Sequence, residues 1–341
     1  MDGFVTPWWL PGGHAQTIWP AKLARRAPPS AASARLHWRR ERWTTPDADF
    51  IDVDFLAAAQ STAQPAADAA TAPKAANPPL LVLFHGLEGS SQSHYAQAFA
   101  HWAQQQRWRY VVPHFRGCSG ALNLAPRAYH SGDFEEIGWI LERLCRAHGG
   151  PVYAVGVSLG GNALLRWAEE AGASARHTAR AVAAVCSPVD LAASGHAIGR
   201  GLNRQIYTRM FLRTMRPRAL AKLAQHPGLF NRQAMLAARD LYDFDNLFTA
   251  PLHGFKNTED YWRRASAKPQ LAAIRIPALL LNARNDPFVP ATSLPQAQAV
   301  GPHVTLWQPA QGGHVGFAGG RFPGHLHSLP DSVMRWMQQA G

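Results

Sequence analysis

Short apolar runs recur along the middle of the chain, with segments of helical character between them. The clearest runs cover residues 80–84, 110–112, 151–155, 181–186, 277–281 and 304–307. Apolar runs of this length, bounded by polar turns, are typical of strands that are buried on both faces. Residues 93–106, 133–147 and 162–169 have helical patterns and lie between such runs. The alternation predicts an α/β fold, with a mostly parallel central sheet and helices on both faces.

Local turn and capping signals add detail to this picture. Residues 35–44 and 49–56 alternate apolar and polar positions as two strands would, and a turn around residues 46–47 joins them. Further along, Asp133 stands three residues before Glu136. This spacing is that of a capping box and predicts the start of the helix 133–147.

The remaining segments differ from these elements in composition. Residues 1–20 are rich in tryptophan, glycine and proline, and we expect them to pack on the body without regular structure. Residues 57–79 are almost all alanine, proline and small polar types, which predicts a flexible loop. Residues 191–265 are too long for one crossover, so they are predicted to form a helical lid insertion. We expect a single domain that spans residues 1–341.

The predicted lid is basic and partly apolar. No acidic residue occurs between Leu191 and Arg239. Apolar side chains recur every four residues in two series, and together they predict a broad apolar helix face: Leu202, Ile206 and Met210, with Tyr207, Phe211 and Met215. Two interpretations stay open at this point. Either the helix packs on the rest of the domain with its arginines exposed to solvent, or it is an interfacial helix that approaches lipid or acyl substrates.

The pentapeptide from Gly156 to Gly160 carries the strongest chemical signal. It reads G-x-S-x-G, and it lies between a predicted strand and a predicted helix. This context is that of a nucleophile elbow, in which a tight turn exposes the serine at the carboxyl end of the sheet. The two glycines allow strand and helix to pack closely. Ser158 is therefore the candidate nucleophile.

Two partners for the serine follow in the chain. Asp286 comes just after the apolar run 277–281, and His314 lies in a glycine-rich loop after the run 304–307. The order Ser, Asp, His is that of the α/β-hydrolases. A histidine takes the proton of the serine, and an aspartate orients the imidazole and stabilises its charged form. Asp190, which follows the run 181–186, is the alternative acid, and we favour Asp286.

An oxyanion hole is predicted next to the serine. The loop that begins with His85 and Gly86 directly follows the predicted strand 80–84. In α/β-hydrolases a loop at this position supplies one backbone N–H of the oxyanion hole. The residue after the nucleophile supplies the second N–H. The candidate donors are therefore the N–H groups of Leu87 and Leu159. We interpret His85 as a residue that braces the loop rather than as a catalyst.

Several of these motifs together resemble a known family. They are residues 8–17 (WWLPGGHAQT), 85–89 (HGLEG), 115–120 (FRGCSG), 129–132 (YHSG), 156–162 (GVSLGGN), 254–255 (GF) with 260–261 (DY), and 285–290 (NDPFVP). The chain resembles the YheT-like branch of the α/β-hydrolases, candidate esterases that are related to eukaryotic lipases with the same domain. The resemblance covers nearly the whole chain and implies a charge-relay triad of Ser158, Asp286 and His314. It does not define the substrate.

Composition narrows the class of protein further. Lys and Arg number 34 against 22 Asp and Glu, which gives a formal net charge of +12. Such a charge favours binding to nucleic acid, to an anionic membrane surface or to an anionic substrate. It can also reflect a compositional bias toward arginine. No nucleic-acid-binding motif accompanies it, so no nucleic-acid partner is expected. There is no secretory signal, no apolar run of membrane-spanning length, and no disulfide or metal spacing among the three cysteines. We expect a cytoplasmic protein.

These observations predict a serine hydrolase that cleaves carboxylic esters with short to medium acyl chains through an acyl-enzyme. The mechanism requires no metal or organic cofactor. The expected partner is a small-molecule ester, and a lipid-like ester and peripheral membrane contact are further expectations. An acyl pocket is predicted from the lid positions Leu202, Ile206, Met210, Phe211 and Met215. The alternatives are an acyltransferase and a lipid-surface binding protein with a vestigial hydrolase fold.

Overall fold

A computed structural model describes residues 4–26, 36–57 and 77–341. It contains an eight-stranded sheet in these described ranges. The strands are β1 (Trp38–Thr44), β2 (Phe50–Leu56), β3 (Leu80–Phe84), β4 (Arg109–Pro113), β5 (Val152–Val157), β6 (Ala181–Val185), β7 (Ala278–Leu281) and β8 (Val304–Trp307). Their order is β1-β2-β4-β3-β5-β6-β7-β8. The pairs β1–β2 and β2–β4 are antiparallel, and all other neighbouring pairs are parallel. The prediction of a mostly parallel sheet is confirmed.

Helices precede, connect and follow the strands. They are α1 (Gly12–Lys22), α2 (His94–Gln105), α3 (Phe134–His148), α4 (Leu159–Ala171), α5 (Leu191–Ile198), α6 (Gly201–Asn203), α7 (Arg209–Gln225), α8 (Arg232–Ala237), α9 (Leu241–Phe244), α10 (Ala250–Leu252), α11 (Thr258–Ala265) and α12 (Ser328–Ala340). None of the helices in the described ranges has both the length and the apolar character needed to cross a bilayer.

The sheet lies between two apolar cores. Because alternate residues of a strand point to opposite faces, neighbouring positions in β3 serve different cores. Val82 packs with α3 and α4 on one face, whereas Leu81 packs with α2 and α12 on the other. Val182 and Ala183 of β6 divide in the same way. Both faces of the sheet are therefore covered by helices, as the apolar runs predict.

Helices α5 to α11 lie between β6 and β7, where a simple crossover would need only one. Within this segment α6, a π-helical stretch at Arg204–Thr208, and α7 follow without interruption. Residues 201–225 thus form one continuous helix, which we call the lid helix. Its inner face packs in a core of its own with Phe288 and Val289, which follow β7.

The expectation that residues 1–20 lack regular structure is wrong, because Gly12–Lys22 forms helix α1. Two glycines and an internal Pro20 disfavour a helix here on local grounds. Tertiary contacts override that preference. A Cβ at Gly13 would lie 1.9 Å from the backbone oxygen of Asn285, so only glycine lets α1 dock this closely.

The capping box predicted at the start of α3 is also wrong. The side chain of Asp133 accepts no capping hydrogen bond and instead pairs with Arg127. The Glu136 carboxylate accepts a hydrogen bond from Arg116 at 2.6 Å. Arg116 and Glu136 are both buried, and an ionic partner stabilises a buried carboxylate more than a backbone N–H does.

The lid helix does not present one broad apolar face. Tyr207 and Met215 are buried, but the side chains of Leu202 and Met210 are 58% and 49% exposed. A π-helical turn contains more residues than an α-turn, so the four-residue spacing on either side of Arg204–Thr208 does not stay on one face. Of the predicted flexible loop at 57–79, residues 58–76 lie outside the described residues.

Candidate active site

Ser158 lies in the tight turn between β5 and α4. Its backbone angles, φ 53° and ψ −119°, are in a region that side-chain-bearing residues rarely adopt. A Cβ at Gly156 would lie 2.5 Å from the Gly160 oxygen, and one at Gly160 would lie 2.5 Å from the His85 oxygen. The glycines are therefore required for the close approach of strand, helix and loop that the G-x-S-x-G pattern predicts.

The structure brings the three predicted residues together in one hydrogen-bonded chain. The Ser158 Oγ lies 3.0 Å from His314 Nε2. On the other side of the ring, His314 Nδ1 lies 2.8 Å from Asp286 Oδ2. The remaining carboxylate oxygen of Asp286 accepts a hydrogen bond from the Phe288 N–H at 2.7 Å. The geometry suits a histidine that donates from Nδ1 to the carboxylate and accepts the serine proton at Nε2.

Asp190, the alternative acid, is engaged elsewhere. Its carboxylate caps the start of α5 by accepting a hydrogen bond from the Ala193 N–H, and it lies 3.3 Å from the Lys268 ammonium. His85 is completely buried and bridges two loops. Its Nδ1 donates to the Gly86 oxygen, and its Nε2 accepts from the Phe115 N–H. Burial lowers the pKa of His85 to about 3, so the ring is neutral in the brace that the sequence suggests.

Helix α1 supports both loops that carry Asp286 and His314, and the sequence reasoning missed this role. Gln16 is almost fully buried. Its Oε1 accepts hydrogen bonds from Asn285 Nδ2 and from the Gly312 N–H, at 2.8 and 3.0 Å. Its Nε2 donates to the side chain of Gln311 at 2.7 Å. One side chain thus joins the loop before Asp286 to the loop before the histidine.

Two further contacts fix the backbone at His314. The Thr17 Oγ1 accepts a hydrogen bond from the His314 N–H at 2.9 Å and donates to the Gly13 oxygen at 2.7 Å. From the sheet side, the Cys186 Sγ accepts from the Val315 N–H at 3.2 Å. Gln16 and Thr17 belong to the motif 8–17 that contributes to the family resemblance, but nothing in the sequence indicated which loops they contact.

The sulfur, carboxylate and imidazole of Cys186, Asp286 and His314 lie close enough together to suggest a metal site. The donor set does not favour one. Burial raises the pKa of the Cys186 thiol well above its usual value, so the thiolate that a metal needs is costly here. Asp286 and His314 are already bonded to each other at 2.8 Å.

The predicted oxyanion donors flank the serine. Leu159 begins α4, and the loop with Leu87 follows β3. Neither N–H group has a hydrogen-bond acceptor within the part of the chain that the structure describes. The Gly86 N–H, in contrast, donates to the Tyr95 hydroxyl at 2.9 Å, which fixes the loop next to Leu87. Two backbone donors beside Ser158 thus remain available for an oxygen that carries negative charge.

A cavity of about 350 Å³ opens at the serine. Helix α1 contributes Ile18 and Lys22 to its wall, and the lid helix contributes Ile206, Met210 and Phe211. The predicted acyl-pocket positions are therefore only partly correct. The side chain of Leu202 points to solvent, because it precedes the π-helical stretch, and Met215 lies one turn further along and lines a different cavity.

Two polar groups in the wall of this cavity, His94 and Tyr207, are neutral, whereas the exposed Lys22 carries charge. Burial lowers the pKa of His94 to about 4. Burial also raises the pKa of Tyr207 to about 12. The Tyr207 hydroxyl forms a hydrogen bond of 3.0 Å with His14 of α1, and its ring packs against Phe288. The space beside Ser158 therefore suits an uncharged, apolar group.

A second, smaller cavity of about 80 Å³ lies on the other side of Leu87. Leu159, Met215 and Phe248 line part of it, and its polar wall includes Arg218. The Arg218 guanidinium pairs with Glu88 at 3.0 Å. The side chain of Leu87 lines both cavities and therefore forms part of the wall between them.

A serine at a strand–helix elbow, bonded through a histidine to an aspartate at the carboxyl edge of a parallel sheet, is the arrangement found in α/β-hydrolases. The family described as alpha/beta hydrolase fold matches residues 79–320. The chain belongs to this family. It is 37% identical over 327 residues to the candidate esterase YheT of Escherichia coli (strain K12), a match that covers 95% of this chain and 89% of YheT.

More distant relatives agree with this assignment. The human phospholipase ABHD3 is 27% identical over 338 residues, which cover 97% of this chain and 77% of the relative. The solved structure of mouse alpha/beta hydrolase domain-containing protein 10 shares the fold, with a TM-score of 0.52 at 13% identity over 89% of this chain and all of that one. The fold class and the resemblance to YheT are thus confirmed, and the chain has esterase- and lipase-type relatives.

Proposed function

We propose that the protein is a serine hydrolase that cleaves carboxylic esters with uncharged acyl chains of short to medium length. The observation that carries the proposal is the unbroken chain from Ser158 Oγ to His314 Nε2 and from His314 Nδ1 to Asp286. A serine hydroxyl is a weak nucleophile unless an adjacent base accepts its proton. The distances of 3.0 and 2.8 Å are those expected if His314 is that base and Asp286 is the group that orients it.

The steps follow from these positions. Ser158 Oγ attacks the ester carbonyl carbon while His314 takes the hydroxyl proton, and the N–H groups of Leu87 and Leu159 bind the oxyanion. The C–O bond to the alcohol then breaks, and the imidazolium gives its proton to the departing alkoxide. Water, deprotonated by His314, then attacks the carbonyl carbon of the acyl-serine. The bond from that carbon to Ser158 Oγ breaks, the imidazolium returns its proton to Oγ, and the acid leaves.

The apolar cavity supports the choice of substrate. Its walls carry aliphatic and aromatic side chains next to Ser158, and the neutral His94 and Tyr207 add no charge, while the charged Lys22 of the wall is exposed to solvent. Each buried methylene contributes about 0.8 kcal/mol to binding, or roughly a fourfold gain. We therefore expect kcat/KM to rise with acyl length until the 350 Å³ cavity is filled, and esters to react faster than the corresponding amides.

The compartment is part of the same proposal. Cys118, Cys145 and Cys186 are free thiols, and no disulfide joins any two of them. Free thiols in a chain with three cysteines fit a reducing environment. We infer that the protein acts in the cytoplasm.

Labelling with a fluorophosphonate tests the nucleophile, and nitrophenyl esters of increasing acyl length test the pocket. The wild-type protein should be labelled and should hydrolyse the esters. The Ser158→Ala variant should not be labelled, and its kcat should fall by at least about 10⁴-fold. Its circular dichroism spectrum and melting temperature should stay unchanged. A folded wild-type protein that neither labels nor hydrolyses would instead support a vestigial fold. Ester formation from an added alcohol, faster than hydrolysis, would support the acyltransferase alternative.

A further inference from the structure

The mouth of the cavity at Ser158 carries exposed apolar side chains on both sides. Ile18 of α1 is 41% exposed, and Met210 of the lid helix is 49% exposed. Both residues also line the cavity, so their exposed parts surround its opening. Leu23, which directly follows α1, and Leu202 of the lid helix are 56% and 58% exposed. Exposed aliphatic groups that surround an opening mark a surface that contacts another apolar phase.

Positive charge is concentrated beside this mouth. Residues 191–239 contain nine Lys and Arg and no Asp or Glu, which is nine of the net +12 of the chain. A groove of about 670 Å³ is lined by arginines of the lid helix and the segment after it: Arg204, Arg209, Arg213, Arg216 and Arg239. We call this the arginine groove. Such a cluster attracts anionic groups with several oxygens.

One exposed member of the arginine groove, Arg239, pairs with Asp243 at 3.5 Å, but the other exposed members form no ion pair with the described residues. Within the described ranges, Arg204, Arg209 and Arg213 contact no carboxylate. On the opposite end of the sheet the pattern differs, since Arg40 and Arg42 pair with buried aspartates at 2.7 and 2.8 Å. Arginines that are left without acidic partners on one face keep their full attraction for an external anion.

The apolar mouth and the arginine groove belong to one face. Met210 and Arg213 are both exposed and stand three residues apart on the lid helix, so their side chains are neighbours. Met210 lines the cavity at Ser158, and Arg209 and Arg213 line the groove. On the α1 side the exposed Lys22 stands next to Leu23. Apolar and basic side chains alternate in this way on helices that lie in the interface of an anionic bilayer.

We propose that this face docks on an anionic membrane surface, with lipid phosphates in the arginine groove and Ile18 and Met210 inserted at the interface. The cavity at Ser158 then opens toward the lipid, and an acyl ester can enter without crossing water. A nucleic acid would use the arginines but would gain nothing from exposed aliphatic groups at the mouth. Docking requires no chemistry at Ser158, so it can be tested independently of the proposed function.

Sedimentation with vesicles tests the proposal. The Ser158→Ala protein is mixed with vesicles of phosphatidylglycerol and phosphatidylcholine, or of phosphatidylcholine alone, at about 0.1 M salt. We expect binding to the anionic vesicles at least about tenfold stronger than to the neutral ones, and weaker at high salt. The double variant Arg209→Glu, Arg213→Glu should lose that preference. Its hydrolysis of a soluble short-chain ester, measured with Ser158 present, should stay unchanged.

A matched control separates this face from net charge alone. Arg109 and Arg180 are exposed at the amino ends of β4 and β6, on the sheet edge opposite Ser158. Arg109→Glu, Arg180→Glu changes the net charge equally and should bind vesicles as wild type does. Equal losses in both double variants would overturn the proposal. Equal binding to both vesicle types, displacement by inorganic phosphate at millimolar concentration, or tighter binding to duplex DNA than to anionic vesicles would also overturn it.

Discussion

The two sides of the candidate active site are held by different kinds of contact. On the α1 side, Gln16 and Thr17 form directional hydrogen bonds of 2.7 to 3.0 Å with the loops that carry Asp286 and His314. On the lid side, the contacts near the site are mostly apolar and aromatic. Tyr207 and Phe211 of the lid helix pack edge-on against Phe288 at centroid distances of 4.5 and 5.9 Å.

This difference separates two tasks. Hydrogen bonds between buried groups tolerate little displacement, because a lost partner leaves a polar atom unsatisfied. Apolar contacts have no preferred direction and can adjust to the shape of a ligand. The α1 side therefore fixes the reacting groups, and the lid side shapes the space for the substrate. Changes on the α1 side should lower kcat for every ester, whereas changes on the lid side should alter which esters react well.

The largest expected effect concerns the acid that α1 helps to hold in place. Asp286→Asn should lower kcat by about 10⁴-fold, because the His314 ring loses the partner that selects its tautomer. Asp190→Asn is the matched control, since Asp190 caps α5 and does not contact His314. Its kcat should change by less than about tenfold. Steady-state kinetics of both folded variants measure the two losses of kcat. A larger loss in Asp190→Asn than in Asp286→Asn would assign the role of the acid to Asp190.

A smaller loss of kcat is expected when α1 loses its contacts. Thr17→Val removes the acceptor for the His314 N–H, and Gln16→Ala removes the bridge between Asn285 and Gly312. Misplacement of a reacting group by about 1 Å costs roughly a hundredfold, so we expect losses of about 10- to 100-fold in kcat. KM should change little, and the loss should be equal for short and long esters.

Thr17→Ser keeps both hydrogen bonds and serves as the control for this prediction. Its kcat should stay within about twofold of wild type. A Thr17→Val variant with normal kcat but raised KM would mean that α1 supports binding rather than the position of His314. The conclusion that the α1 side fixes the reacting groups while the lid side shapes the space for the substrate would then be wrong.

On the lid side, Phe211→Ala should change selectivity. Phe211 lines the cavity at Ser158, so its loss removes contacts that only longer acyl chains reach. We expect kcat/KM for an octanoyl ester to fall by about 5- to 10-fold more than that for an acetyl ester. Leu202→Ala, at an exposed position outside the cavity, should leave the ratio unchanged. An equal fall for both esters would show that the lid helix positions the reacting groups as well.

The smallest effect concerns stability. Asp245, half-buried between α9 and α10 in the lid segment, accepts hydrogen bonds from Thr249 and Trp262 but has no cationic partner among the described residues. Burial raises the pKa of Asp245 to about 6, above its ordinary value near 4. The folded protein thus holds this proton more tightly than the unfolded chain does, and its stability falls as pH rises through that interval.

Asp245→Asn should therefore raise the free energy of unfolding by about 1–3 kcal/mol at pH 8 and leave it nearly unchanged at pH 4. Urea denaturation at the two pH values measures the difference. Asp331→Asn, at an exposed position of α12, should change stability by less than about 0.5 kcal/mol at either pH. If Asp245→Asn destabilises the protein at pH 8, the ionised carboxylate contributes favourably to the lid.

The parts of the fold that sequence could predict are those in which local pattern and tertiary environment agree. The parallel strands are apolar runs because both faces of the sheet are covered, and the elbow at Ser158 needs its glycines for steric reasons. Helix α1 was missed because its stability comes from docking on Asn285 and the loop before His314, and its own residues disfavour a helix. The split face of the lid helix was missed because a π-helical turn has no clear sequence signature.

In the candidate site, the close approach of Ser158, Asp286 and His314 was predictable from their order and from their positions after strands. The roles of Gln16 and Thr17 were not, because each acts across about 300 residues of chain on a loop whose position only the fold defines. The same reason hid the division of the lid positions between two cavities. The distance of a residue from the end of a strand can be inferred from the local sequence. The cavity wall that it forms with residues far along the chain cannot.

The position of Leu87 between the two cavities has a consequence for how such a protein can change. In the proposed mechanism Leu87 contributes only its backbone N–H to the reaction, while its side chain forms part of a wall shared by spaces of about 350 and 80 Å³. A substitution there alters the room for an acyl chain and leaves every reacting atom in place. Single substitutions at this position can thus change the range of substrates, and no inactive variant has to occur on the way.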